Sequence, residues 1–221
     1  DAFDIQEPHT DMVVTGTSIV ETSALPESRD ALGWDDLAGD DIRDRFAELL
    51  APTPRVPITG EVAETARILA GGISPVDACG AATEWVRSRL RYESGTTDAS
   101  TSAIEALRRG SGVCQDFVHL SLAVLRAMGI PARYVSGYLH PSAEAEIGAT
   151  VQGQSHAWLE AWSGEWQPVD PTNGGKVGER HVIVGRARDY GDVSPLKGIY
   201  HGAPSTALGV SVELTRLPLT D

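Results

Sequence analysis

Residues 111–131 read SGVCQDFVHLSLAVLRAMGIP, and this stretch decides the fold. Apolar residues from Phe117 to Met128 recur three or four positions apart, which is the spacing of one face of an α-helix. Further apolar residues fall on its other faces, so the pattern predicts a central, buried helix. Gly129 and Pro131 follow directly and end it.

Helical patterns precede this segment and strand patterns follow it. Ser74 and Pro75 are typical of a helix start, and Ser102 with Glu105 forms a capping box for a short helix. After residue 131 the pattern predicts strands over 134–139, 155–162, 166–169, 181–184 and 209–214. Helices followed by a largely antiparallel sheet indicate an α+β fold rather than alternating βαβ units.

Composition restricts the class of protein. The chain has 221 residues of which 41% are apolar, enough for one good core with or without a small appended piece. A net charge of -13 repels nucleic acid and anionic membrane, so we expect neither as a partner. No apolar run reaches the ~18 residues needed to span a bilayer. Two cysteines are too few for a disulfide framework or a Cys-rich zinc site.

Three regions differ in character along the chain. Residues 1–25 contain two short strand patterns, at 12–14 and 18–20, and we expect a remnant of an N-terminal β-domain or an arm. Residues 26–74 are rich in Pro and Asp and read as a helical connector. Residues 75–221 form the predicted catalytic core. We expect a cytoplasmic protein, since no secretory leader pattern is visible.

Cys114 stands where a glycine-bearing loop enters the buried helix. Free N–H groups and the positive end of the helix dipole stabilise a thiolate there, and they can also bind an oxyanion. The alternative is a small buried hydrophobe, the usual situation of a free cysteine. Cys79, in mid-helix among alanines, fits that alternative well.

A predicted hairpin brings a histidine and a carboxylate together. Alternation over 155–162 places His156 and Trp158 on one face of a strand. A three-residue loop at 163–165 pairs Trp158 with Asp170, which makes His156 a diagonal neighbour at roughly 7 Å. A two-residue loop would put Asp170 on the opposite face, and the sequence alone does not choose between the loops. With Cys114, the two residues would complete a nucleophile, base and orienting acid.

These segments resemble the core motifs of the bacterial transglutaminase-like superfamily. The similar motifs lie at residues 90–92, 112–117, 129–138, 155–158, 169–172 and 185–190. Together they cover about residues 75–217. The resemblance implies a papain-like core in which Cys114 lies on a central helix and His156 and Asp170 lie on adjacent strands of an antiparallel sheet. It implies no cofactor and no metal, and a peptide or protein as the substrate.

Further roles accompany this resemblance. Tyr92 is the candidate for a second oxyanion donor, with a packing tyrosine as an equal alternative. Gln115 and Trp158 are the candidates for lining the substrate cleft. Members of this kind carry a small β-domain before the core, so we expect either a missing N-terminal domain or a homo-oligomer that supplies its strands.

The sequence therefore predicts a cysteine-dependent enzyme that cleaves peptide or glutamine-type amides through a thioester. Resolution of the thioester by water, giving a protease or amidase, is favoured over resolution by an amine, giving a transglutaminase. The triad is the same in both cases, and water exclusion would distinguish them. A non-catalytic binding module, or a structural domain completed by a partner, is the alternative from another class.

Overall fold

The computed structural model describes residues 4–22, 31–142, 144–174, 176–194, 199, 201–202 and 209–218. Seven α-helices lie in the described part of the chain: α1 Trp34–Leu37, α2 Asp40–Arg45, α3 Ala47–Leu50, α4 Gly60–Leu69, α5 Pro75–Arg89, α6 Ala103–Arg109 and α7 Cys114–Ala127. Within these ranges, no helix is both long enough and apolar enough to cross a membrane.

Helix starts follow the predicted capping residues. The Ser74 hydroxyl accepts a hydrogen bond from the N–H of Asp77, and Pro75 is the first residue of α5. At α6, Ser102 and Glu105 form the predicted reciprocal capping box. Each cap satisfies N–H groups that have no acceptor within the helix, so the local sequence determines where these helices begin.

Eight strands lie in the described residues: β1 Arg91–Tyr92, β2 Ser111–Gly112, β3 Ala132–Leu139, β4 Thr150–Gln152, β5 Gln154–Trp162, β6 Trp166–Val169, β7 His181–Ala187 and β8 Glu213–Thr215. The main sheet has the order β6-β5-β3-β7, and all of its pairs are antiparallel. Two small sheets accompany it, a parallel pair of β1 with β2 and an antiparallel pair of β4 with β8.

Helix α7 is the centre of the molecule, as predicted. Every side chain from Gln115 to Arg126 is buried. One side of α7 packs on β5 and β3 of the main sheet, and other sides contact α4, α5 and α6. The α+β class with a central helix on an antiparallel sheet is confirmed.

The β5–β6 hairpin has the three-residue loop. Trp162 pairs with Trp166 and Glu160 pairs with Pro168, which is the register of the three-residue alternative. Gly164 in the loop has φ 109°, in the left-handed region that glycine adopts without steric cost. The two-residue alternative, which would have put Asp170 on the opposite face, is thereby wrong.

The predicted strands at 12–14 and 18–20 are wrong. Residues 4–22 contain no helix or strand, and Val13 and Ile19 are 89% and 85% exposed. A strand pattern becomes a strand only beside a partner, and within the described residues this segment pairs with none. The division of the chain at 1–25, 26–74 and 75–221 stays a prediction.

Arg126 joins α7 to three other segments. Its buried guanidinium donates hydrogen bonds to the carbonyl oxygens of Ala51, Ala132 and Arg188. These acceptors lie after α3, at the start of β3 and after β7. Burial lowers the pKa of Arg126 to about 10, but the group stays charged at neutral pH.

We expect Arg126→Met to lower the free energy of unfolding by about 3 kcal/mol, because it leaves buried carbonyl groups without donors. Urea titration followed by circular dichroism would measure this change. Arg108→Met, on an exposed position of α6, is the matched control and should stay within about 0.5 kcal/mol of the parent protein. Equal urea midpoints for the two variants would contradict the role of Arg126.

Candidate active site

Cys114 is the first residue of α7, and its side chain is partly exposed. The turn before it is held by Asp116, whose Oδ2 accepts hydrogen bonds from the N–H of Val113 at 2.8 Å and the hydroxyl of Thr97 at 2.6 Å. The first N–H groups of a helix have no acceptor within the helix, so this end of α7 favours a negative charge. The capping of α7 thus fixes the position of the sulfur.

Cys79, the other cysteine, differs from Cys114 in its position within a helix and in its exposure. Cys79 lies within α5 and is buried, and burial raises the pKa of its thiol to about 12. Both cysteines are free. Only a thiolate attacks a carbonyl efficiently, so Cys79 is inert at neutral pH and serves as an internal reference for Cys114.

The hairpin brings His156 and Asp170 together. His156 lies on β5, and Asp170 directly follows β6. The Nε2 atom of His156 is 2.8 Å from Oδ2 of Asp170, and both side chains are buried. The predicted carboxylate–imidazole hydrogen bond is therefore present.

Asp170 accepts hydrogen bonds on both oxygens. Its Oδ1 receives the backbone N–H groups of Thr172 and Asn173 at 3.0 and 3.1 Å, and its Oδ2 also receives the Asn173 amide at 2.8 Å. Burial alone would raise the pKa of this carboxyl group. The hydrogen bond from His156, the nearby imidazole of His181 and the hydrogen bond from Asn173 outweigh burial and hold the pKa well below its usual range. Asp170 is an anion at every pH of interest.

His156 also meets Cys114. Burial alone would lower the pKa of the imidazole, but the hydrogen bond to Asp170 and the influence of the nearby Cys114 side chain outweigh it and raise the pKa to about 9. Because Nε2 is bonded to Asp170, Nδ1 is the ring nitrogen that remains for the thiol. The imidazole is thus hydrogen bonded to the carboxylate and influenced by the thiol, and the catalytic role of the three residues stays a prediction.

A cleft of about 570 Å³ opens beside His156. Its polar lining includes Gln152, Gln154, Ser155 and Thr172, and its apolar lining includes Leu139, Val210 and Val212. Among the described residues that line it, His156 is the only titratable group besides the phenol of Tyr92. The cleft therefore has a lining that is mostly uncharged, both polar and apolar, next to His156.

Tyr92 lies where an oxyanion donor could act. It pairs with Gly112 across the β1–β2 sheet, lines the cleft beside His156, and is 59% exposed. Its ring centroid is 6.5 Å from that of Phe117. Its role as a donor stays a prediction.

Trp158 and Gln115, the two residues predicted to line the cleft, make contacts elsewhere. The prediction that Trp158 lines the cleft is wrong, because its side chain is fully buried and packs with Val135 and Val177. The amide of Gln115 donates to the carbonyl oxygen of Asp98 at 3.1 Å, which anchors the loop before α6. A cleft role for Gln115 stays a prediction.

Two residues of the site were missed in the sequence. Asn173 follows Asp-Pro-Thr, and an Asx-type turn was the signal that could have found it. His181 lies at the start of β7, on the far side of β3 from β5, and finding it requires the strand order.

Within the described residues, the side chains of His156, Asp170 and His181 form one group whose ligand-type atoms lie within 4.8 Å of one another. Histidine and carboxylate side chains can bind zinc. Here both oxygens of Asp170 are already hydrogen bonded, so we interpret the group as a hydrogen-bond network. The absence of a metal requirement stays a prediction.

Comparison with known proteins places this geometry in a family. The family model of the transglutaminase-like superfamily matches residues 63–171, a range that includes Cys114, His156 and Asp170. An uncharacterized protein of Mycobacterium leprae is 50% identical over 98% of this chain and 77% of its own length. An uncharacterized protein of Mycobacterium tuberculosis is 34% identical over 96% of this chain and 72% of its own length.

One further relative and one solved structure illustrate the activities described among similar proteins. A segment covering 28% of this chain is 43% identical to a protein-glutamine gamma-glutamyltransferase of Pseudomonas aeruginosa, of which it covers 10%. The crystal structure of a proposed cysteine protease from Cytophaga hutchinsonii superposes with a TM-score of 0.62 and 26% identity. That similarity covers 86% of this chain and 66% of the other protein, so this chain spans slightly less than two thirds of it.

Proposed function

The chain belongs to the transglutaminase-like superfamily, and on that premise we propose that it is a cysteine-dependent amide hydrolase with Cys114 as its nucleophile. The observation that carries the proposal is the buried His156–Asp170 hydrogen bond at the edge of an open cleft, with the Cys114 side chain close enough to affect the imidazole. Because the cysteine, the histidine and the aspartate are all present, we favour an enzyme over a non-catalytic binding module on the same fold.

In the first half of the reaction, the thiolate of Cys114 attacks the carbonyl carbon of a bound amide. The oxyanion accepts a hydrogen bond from the N–H of Cys114, with the hydroxyl of Tyr92 as the second candidate donor. His156 gives the proton on Nδ1 to the leaving nitrogen, the C–N bond breaks, and ammonia or an amine departs. A thioester on Cys114 remains.

In the second half, Nδ1 of His156 takes a proton from water, and the hydroxide attacks the thioester carbon. The C–S bond breaks, the acid departs, and the thiolate and imidazolium are restored. Asp170 keeps the ring in the tautomer that presents Nδ1 to the sulfur and stabilises the imidazolium. We favour hydrolysis because polar side chains line the open cleft beside His156, which gives water access to this side of the site. The similarity to a glutamyltransferase supports transfer to an amine as the alternative.

A glutamine-containing peptide pool incubated with and without a fluorescent primary amine would test the proposal. We expect ammonia or new peptide ends without the amine, and a covalent adduct on Cys114 in quenched samples by mass spectrometry. Product that forms only with the amine would favour the transferase alternative. No adduct on Cys114 with any acyl donor, including activated esters, would reject both enzymatic functions.

The pH dependence follows from His156. Its pKa lies above the unperturbed value of about 6.5, at about 9, so the imidazolium is present below pH 9 and is lost as the pH rises through it. Since the leaving nitrogen needs that proton, kcat/KM should fall on the alkaline side with an apparent pKa of about 9. Initial rates from pH 6 to beyond pH 10 would measure it. A profile that already declines near the unperturbed value would contradict the His156–Asp170 assignment.

A further inference from the structure

A second imidazole lies against the carboxylate of Asp170. His181 is the first residue of β7, and its Nε2 is 3.6 Å from Oδ2 of Asp170. Its side chain is 8% exposed. Asp170 thus stands between two histidines that come from strands on opposite sides of β3.

The backbone fixes the tautomer of this ring. Nδ1 of His181 accepts a hydrogen bond from the N–H of Gly178 at 3.2 Å, so the proton of the neutral ring is on Nε2. Nε2 is buried, and within the described residues it has no hydrogen-bond partner at normal distance. The donor is therefore aimed at Asp170 from slightly beyond hydrogen-bond length.

Trp158 holds both imidazoles in place. Its ring meets His181 edge-on with centroids 5.1 Å apart, and it stacks on His156 with centroids 6.2 Å apart. Gly137 on β3 makes room for it, since a Cβ atom there would lie 2.6 Å from the indole. The two histidines can move little relative to each other, because one buried indole contacts both.

We propose that His181 is a positioning residue for the reaction: its Nε2–H donates to Oδ2 of Asp170 and holds the carboxylate toward His156. This role rests on the proposed function. The hydrogen bonds from His156 and Asn173 already restrict rotation of the Asp170 carboxylate about its bond to Cβ, and a further donor on Oδ2 restricts it more. The nearby His181 imidazole also contributes to holding the pKa of Asp170 low, so the carboxylate does not take the proton from His156. The imidazolium then keeps that proton for the leaving nitrogen.

Two substitutions at this position separate a hydrogen bond from packing. His181→Phe keeps a flat ring against Trp158 but removes the N–H, and we expect kcat to fall about tenfold with KM unchanged. His181→Gln presents an N–H at the position of Nε2 and should return kcat to within about threefold of the parent enzyme. His140→Gln, on a histidine after β3 whose ring contacts Ser142, is the matched control and should change neither constant.

A readout without substrate keeps this proposal distinct from the proposed function. In the free protein, the ¹⁵N NMR signals of the His156 ring should shift in His181→Phe and return toward the parent positions in His181→Gln. Thermal melting confirms that both variants are folded. Unchanged His156 signals in folded His181→Phe overturn the positioning role, as does a kcat that is low in both variants. If the parent protein cleaves no amide, the proposed function fails while the NMR comparison still decides the role of His181.

Discussion

Replacement of Cys114 with alanine is expected to abolish amide turnover, lowering kcat by about 10⁶. The loss is this large because the remaining cysteine, Cys79, is buried within α5 and cannot take over the attack. The fold should be kept, since the Cys114 side chain is partly exposed and the α7 cap is made by Asp116. Turnover of the peptide pool at high enzyme concentration, with adduct mapping by mass spectrometry, would measure the effect.

Cys79→Ala is the control for thiol loss. Its thiol is buried within α5 and is not among the described residues that line the cleft, so kcat and KM should match those of the parent protein. A contaminating hydrolase would give equal rates in the parent protein and in Cys114→Ala. If Cys114→Ala kept more than about one part in 10³ of the parent kcat, the thiolate would not be the nucleophile. A site without its nucleophile does not support turnover at that rate.

Asp170→Asn is expected to lower kcat by about 10⁴. The amide oxygen can replace Oδ1 toward Thr172 and Asn173, which leaves the amide N–H₂ facing Nε2 of His156. That nitrogen must then accept, so the ring proton moves to Nδ1 and the thiol loses its base. The imidazolium also loses its counter-charge, and the alkaline limb should move from about 9 toward the unperturbed value of about 6.5.

The rate of Cys114 alkylation against pH, with Cys79 as internal reference, would show this shift without any substrate. Asp77→Asn, on the exposed first turn of α5, is the matched control and should leave the profile unchanged. An Asp170→Asn enzyme that keeps more than about a tenth of the parent kcat would show that Asp170 only supports the turn at Thr172 and Asn173.

The sequence pattern was sufficient to predict those parts of the site that are determined by residues close together in the chain. The spacing of apolar residues predicted α7 as a buried helix with Cys114 at its start, and helix termination at Gly129 and Pro131 follows from backbone chemistry alone. The hairpin register was one of two alternatives. Its choice depends on the left-handed conformation of Gly164, which a glycine in a short loop permits but does not impose.

Contacts between segments that lie far apart in the chain could not be predicted in this way. The alternation of residues correctly placed Trp158 on the same strand face as His156. It could not predict that the region around Val177 covers that face. His181 joins the site only because β7 pairs with β3, so that Leu139 stands opposite it. The strand patterns near Val13 and Ile19 failed for the same reason, since a strand exists only where a partner does.

The strand order β6-β5-β3-β7 has a consequence for how activity first arises in a newly made chain. During synthesis, Cys114 leaves the ribosome first, followed by His156, Asp170 and finally His181. Each joins the site through contacts between distant parts of the chain, which form late in folding. A nascent chain therefore carries a cysteine without its base, and the thiol becomes reactive only when the whole sheet has closed around it. On the proposed function, completion of folding is itself the activating step.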